Sequence, residues 1–104
     1  MAPQADPTQR RTDPLISLFL DAISAMRAAS ANTLAAYQRD LADTSALLAT
    51  EAISLADCTA DDLRRVIALW HQRGLSARSV ARRLSALRQF MSWAVEEQIR
   101  ADNP

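Results

Sequence analysis

Between Pro14 and Pro104 the chain holds no proline and one glycine, Gly74, so a single residue interrupts an otherwise unbroken helix-permissive stretch. Alanine, leucine and arginine fill that stretch, all strong helix formers, and no segment alternates apolar and polar residues with the period of two that a strand requires. The fold class read from this is all-α. With 104 residues, 49% of them hydrophobic, the chain can build one small core, burying roughly 65% of its unfolded surface, and not two.

Residues 1–12 contain two prolines and no periodic pattern, and are expected to form a disordered arm ahead of one domain over residues 13–104. Asp13 followed by Pro14 reads as an N-cap with proline in the first helical position. Leu15, Leu18, Phe19, Ala22, Ile23 and Met26 then recur at helical spacing as a core face, with Ile16 and Leu20 beside it. Those two widen the apolar stripe, which raises two alternatives: a broad core contact, or a flank that meets a second protomer. A second helix is predicted from a cap at Ser30 to about Thr50, with Leu34, Tyr37, Leu41 and Leu48 inward. A third starts at Thr59, where Asp62 completes a capping box and Cys58 is placed to pack on Leu63. Its core face is Leu63, Val66, Ile67 and Trp70, and Gly74 ends it in a left-handed cap. Ser76 caps a fourth and longest helix reaching about Gln98.

The formal net charge is zero, which hides a polarity along the chain. Up to Asp62 there are four Arg against nine acids, a net of minus five; from Leu63 onward eight Arg stand against three acids, a net of plus five. The lone Cys58 has no partner for an internal disulfide, the first apolar stretch is broken by Asp21, and nothing is long enough to span a membrane. A cytoplasmic location is the expectation.

One His, one Cys and one Gly do not supply a nucleophile with its base, a metal cluster or a phosphate loop. His71 reads as a surface residue favoured by a helix C-terminus, Cys58 as a structural thiol, and Tyr37 as packing. The chain is expected to catalyse nothing and to need no cofactor or metal.

On a helical wheel of the fourth helix, Val80, Leu84, Leu87, Met91, Ala94 and Val95 gather on one side, with Arg78, Arg82, Ser85 and Gln89 opposite and Arg83 and Arg88 on the flanks. From Arg73 to Gln89 there are five Arg and no acid, whereas a merely solvated face usually interleaves carboxylates. Arg and Gln are the side chains that read base edges in a major groove. The second helix offers Asn32, Thr33, Ala35, Ala36 and Arg39 opposite its core, small enough for close approach to a duplex; Asp43 further along would repel phosphate.

These stretches resemble a known family. Residues 30–41 (SANTLAAYQRDL), 74–90 (GLSARSVARRLSALRQF) and 100–104 (RADNP) are similar, in order and spacing, to the N-terminal domain of Xer-type tyrosine recombinases. The resemblance implies a SAM-like four- or five-helix, orthogonally packed core-binding domain that forms half of a clamp on double-stranded DNA, with its second and fourth helices against the major groove. It also implies a separate catalytic domain beyond Pro104 that forms a 3′-phosphotyrosyl intermediate, and a second recombinase protomer as partner in a tetrameric synapse, the isolated domain being monomeric. By position, Arg78 and Arg82 would approach bases, Thr33, Arg39, Ser79 and Arg83 the backbone, and Ala36 the groove, with Gln89 on the same face. The RADNP ending leans toward the XerD branch over XerC, and phage and transposon integrases share the domain. One departure stands out: residues 47–55 lack the glycine expected between the second and third helices. The rival readings are a helix-turn-helix regulator, with residues 73–76 as the turn, and a helical adaptor that uses Ile16 and Leu20.

Overall fold

The computed structural model describes residues 13–27 and 30–104, and the expected arm at residues 1–12 and the side chain of Met26 lie outside them. The described residues form four helices: α1 (Pro14–Arg27), α2 (Ala31–Ala49), α3 (Ala60–Gln72) and α4 (Ala77–Glu96). The caps explain the boundaries. Asp13 Oδ1 accepts from the Leu15 amide at 2.9 Å, and Ser30 Oγ and Ser76 Oγ each accept from the amide three residues on, at 3.1 Å. At α3 the capping box is complete, the Thr59 amide donating to Asp62 Oδ2 at 2.8 Å and the Asp62 amide to Thr59 Oγ1 at 3.2 Å. That backbone hydrogen bond holds the Asp62 carboxyl below its ordinary pKa of 3.8.

Three helices end in one motif. After α3, Leu75 donates to the Trp70 carbonyl and Gly74 to that of His71, with Gly74 at φ +78°. This is the Schellman pairing. After α4, Ile99 donates to Ala94 and Gln98 to Val95; after α2, Ile53 donates to Leu48 and Ala52 to Ala49. The left-handed residue is Gln98 in one case and Ala52 in the other, both at φ 61°. The glycine missing between α2 and α3 is thus replaced by an alanine that carries the strained conformation itself.

Helix α2 packs against each of the other three. The core joins Ile16, Phe19 and Ile23 of α1, Leu41 and Leu48 of α2, Leu55 and Cys58 of the α2–α3 turn, Val66 and Trp70 of α3, and six residues of α4 from Val80 to Ala94. Between α1 and α4, Phe19, Phe90 and Trp93 form a closed triangle of rings with centroids 5.5–5.8 Å apart.

Two expected faces are corrected. On α1 the buried stripe runs through Ile16, 1% exposed, while Leu18, expected inward, is 55% exposed. Ile16 is therefore spent in this chain's own core and is not a protomer contact; Leu20 also packs on the core with part of its surface open. The reason is that α1 is apolar around most of its circumference, so the ring triangle on α4 decides which stripe turns inward. On α4 the buried side includes Ala86 and Phe90, both 0% exposed, which turns the helix away from the expected orientation.

Candidate nucleic-acid interface

That rotation separates the arginines of α4. Arg83, expected on an outward flank, projects among the buried residues toward α2 and α3 and is 17% exposed. It bonds Asp43 Oδ2 at 2.5 Å, lies 3.6 Å from Asp40 Oδ1, and places its guanidinium 5.4 Å above the Trp70 ring. Arg82 makes a bidentate pair with Asp40, Nε to Oδ2 at 2.8 Å and Nη2 to Oδ1 at 2.9 Å. Asp40 is 2% exposed and the Arg82 side chain 43%. The hydrogen bond to Asp40 raises the Arg82 pKa above its ordinary value. Further along, Gln89 Nε2 donates to the Tyr37 hydroxyl at 2.9 Å and approaches Ser85 Oγ at 3.4 Å. Tyr37 meeting Gln89, Asp40 meeting Arg82 and Asp43 meeting Arg83 define a polar seam between α2 and α4.

Asp43, expected to repel phosphate, is neutralised by Arg83 and by Arg73, 3.4 Å away. The acidic N-terminal and basic C-terminal halves of the chain meet through Arg65–Glu51 and the pairs of Arg73, Arg82 and Arg83 with Asp40 and Asp43, while Arg64–Asp61, Arg65–Asp62 and Arg100–Asp102 are local. Among the described side chains, Arg39, Arg78 and Arg88 form no ion pair. All three are exposed.

Their neighbours are small. On α4, Arg78, Ala81, Ser85, Arg88 and Ser92 fall within roughly 80° of one another, and on α2, Asn32, Ala35, Arg39 and Ala46 fall within roughly 60°. No acid lies on the α4 strip before Glu96. Thr33 is half-buried, its hydroxyl engaged by the Ser30 cap at 3.0 Å, and Ser79 is held by Ser76 in the same way at 3.1 Å. Ala36 is half-buried on α2. The predicted residues Thr33, Ala36, Arg39, Arg78, Ser79, Arg82 and Gln89 thus lie on or beside the seam and its outer strips, and Arg83 lies beneath it. Sequence reasoning missed Asp40, whose only signal was its position one residue from the inward Leu41, and it underrated Arg88.

A second arginine is held differently. Arg100 is buried, donating Nη1 to the Leu55 carbonyl at 2.8 Å, Nη2 to the Cys58 carbonyl at 2.6 Å and Nε to the Asp102 carbonyl at 3.1 Å. Nη1 also contacts Cys58 Sγ at 3.7 Å and Nη2 reaches Asp102 Oδ1 at 3.2 Å. Burial raises the Cys58 thiol pKa above 9.0 against the opposing charge of Arg100.

Among the described residues no group of three His, Cys, Asp or Glu is placed to hold a metal ion, and no helix is long and apolar enough to cross a membrane. The family model described as phage integrase, N-terminal SAM-like domain, matches residues 16–98. The chain is 45% identical over 89 residues to tyrosine recombinase XerD of Rhizobium meliloti strain 1021, covering 86% of this chain and 29% of that protein. It is 44% identical over 90 residues to the XerD of Bradyrhizobium diazoefficiens, covering 86% of this chain and 28% of the relative. With the XerD of Agrobacterium fabrum it shares 38% over 98 residues, 94% of this chain and 30% of the other. The chain therefore spans about three tenths of the length of the curated relatives it matches. No solved structure gives a significant match.

Proposed function

The chain belongs to the phage integrase N-terminal SAM-like domain family, and on that premise we propose that it grips double-stranded DNA as the core-binding domain of a XerD-like tyrosine recombinase. The observation that carries this reading is the distribution of unpaired charge. Among the described side chains most arginines are matched by carboxylates, and the three left unmatched there, Arg39, Arg78 and Arg88, stand on the outward strips of α2 and α4 among Ala, Ser and Asn. Unpaired arginines on a surface of small residues suit contact with phosphates, and Arg82 at the edge of the seam suits a base edge. Arg83 is assigned to holding the helices together.

In the whole protein this domain would act beside a catalytic domain that breaks and rejoins DNA, with a second recombinase protomer bound to the same recombination site. Residues 13–104 alone would bind without cleaving, which a suicide substrate tests: covalent capture by this chain would overturn it.

The DNA-binding reading is tested by titrating a duplex against this chain over a salt series. A log–log slope that steepens with the number of phosphates neutralised is expected, and Arg39→Ala, Arg78→Ala or Arg88→Ala should each reduce it by about one. A flat salt dependence would overturn the reading.

A further inference from the structure

We propose that Asp40 is a positioning residue for sequence recognition: it holds the Arg82 guanidinium side-on so that the opposite fork faces outward, set to read a guanine edge. This rests on the DNA-binding reading above. A guanidinium has five N–H donors in a fixed plane. Asp40 takes one from Nε and one from Nη2, which leaves both hydrogens of Nη1 and the second of Nη2 unused. Those remaining donors form the end-on fork, on a different edge of the plane from the one Asp40 occupies. Asp40 is buried and the Arg82 side chain is nearly half exposed, which leaves the unused edge free to be the one toward solvent.

A purely structural role explains this arrangement less well. A half-exposed ion pair contributes little to stability, and a buried carboxylate is seldom better than an apolar side chain of the same size. What the pair does supply is a fixed orientation. A long side chain otherwise free to rotate is pinned before any ligand arrives, so less freedom is lost on binding. The ligand that matches a planar two-donor fork carries two acceptors side by side: guanine O6 and N7 in the major groove, or two phosphate oxygens. Guanine is favoured because, on the DNA-binding reading above, the exposed and unpaired Arg39, Arg78 and Arg88 are the side chains assigned to the backbone.

The test presents this chain with a pool of duplexes randomised through their central segment and sequences the bound fraction. The wild type should enrich guanine at one position roughly tenfold over other bases. Asp40→Asn, nearly identical in shape, should still bind duplex but lose that enrichment, and Arg82→Lys, which keeps the charge and loses the fork, should lose it too. A thermal melt establishes that each variant is folded; should Asp40→Asn fail to fold, Asp40→Glu, which keeps the charge but shifts the carboxylate by one methylene, is read in the same way. Guanine enrichment that survives in a folded Asp40→Asn, or in Arg82→Lys, overturns the proposal. Salt-dependent binding by the wild type with no guanine preference would mean that the fork meets phosphate, and also overturns it. Absence of any salt-dependent duplex binding would instead sink the DNA-binding reading itself.

Discussion

Arg82 and Arg100 are both held by hydrogen bonds between distant parts of the chain, yet they are held in opposite ways. Every N–H of Arg100 has a partner: Nε on the Asp102 carbonyl, Nη1 on Leu55 and Cys58 Sγ, Nη2 on Cys58 and Asp102. Arg82 gives two N–H groups to Asp40 and keeps three. The first arrangement is saturated and buried, fit only to hold the fold. The second is half-open and retains capacity for something outside the molecule. How many donors an arginine has left says more about its role than whether it is paired.

The contrast predicts opposite consequences for loss. Arg100→Ala would leave the buried carbonyls of Leu55 and Cys58 without donors, and should lower stability by about 3 kcal/mol, measured as the midpoint shift in urea. In the same variant a thiol reagent should modify Cys58 faster, because the turn that buries it loses its clamp. Arg83→Ala should come next at about 2 kcal/mol, from the lost Asp43 pair and the stacking on Trp70, with the salt slope of duplex binding unchanged. A slope reduced by one at unaltered stability would return Arg83 to the DNA surface. Arg82→Ala should cost only about 1 kcal/mol of stability, since Arg83 remains near Asp40, while it narrows the gap between preferred and random duplex by about 1 to 3 kcal/mol.

Smaller effects sharpen the picture of the turn that Arg100 grips. Ala52 and Gly74 occupy the same left-handed position of the same motif, so Ala52→Gly should gain about 1 kcal/mol and Gly74→Ala lose about as much. A Cβ at Gly74 meets nothing within 4 Å, so any loss there reflects backbone strain alone. Smallest is the contribution of the Asp62 cap. Because the folded carboxyl titrates below its ordinary 3.8, its stabilisation is fully present above that pH and is lost as pH falls through the depressed value. Acid titration of Asp62→Asn against wild type should show the two melting points converge at low pH.

What the sequence made legible was local. Ser30, Thr59 and Ser76 announce helix starts within the next turn, and Gly74 announces an end, because a cap and its partners lie within a few residues of each other. Which face turns inward was harder to read. The wheel of α4 placed Arg83 outside because a charge is assumed to seek water, but its partners Asp40, Asp43 and Trp70 come from two other helices. The stretch of α1 is ambiguous for the opposite reason, being apolar at so many positions that only Phe90 and Trp93 select Phe19 over Leu18. Arg100 gave little local signal beyond Asp102 two residues on. Its shortest bonds go to the backbone carbonyls of Leu55 and Cys58, which carry no trace in side-chain identity.

The clamp at Arg100 also fixes how the molecule would respond to tension. Asn103 adds a contact to Ser92 at 3.3 Å, but the strong attachments near the C-terminal end run to Leu55 and Cys58 at mid-chain. A pull on residue 104 would therefore meet the guanidinium before it could reach the last turn of α4, and it would be delivered to the turn between α2 and α3. Helix α4 is thus protected from being unwound from its end like a thread from a spool. In mechanical terms the chain is moored near its middle, close to the helix that touches all the others.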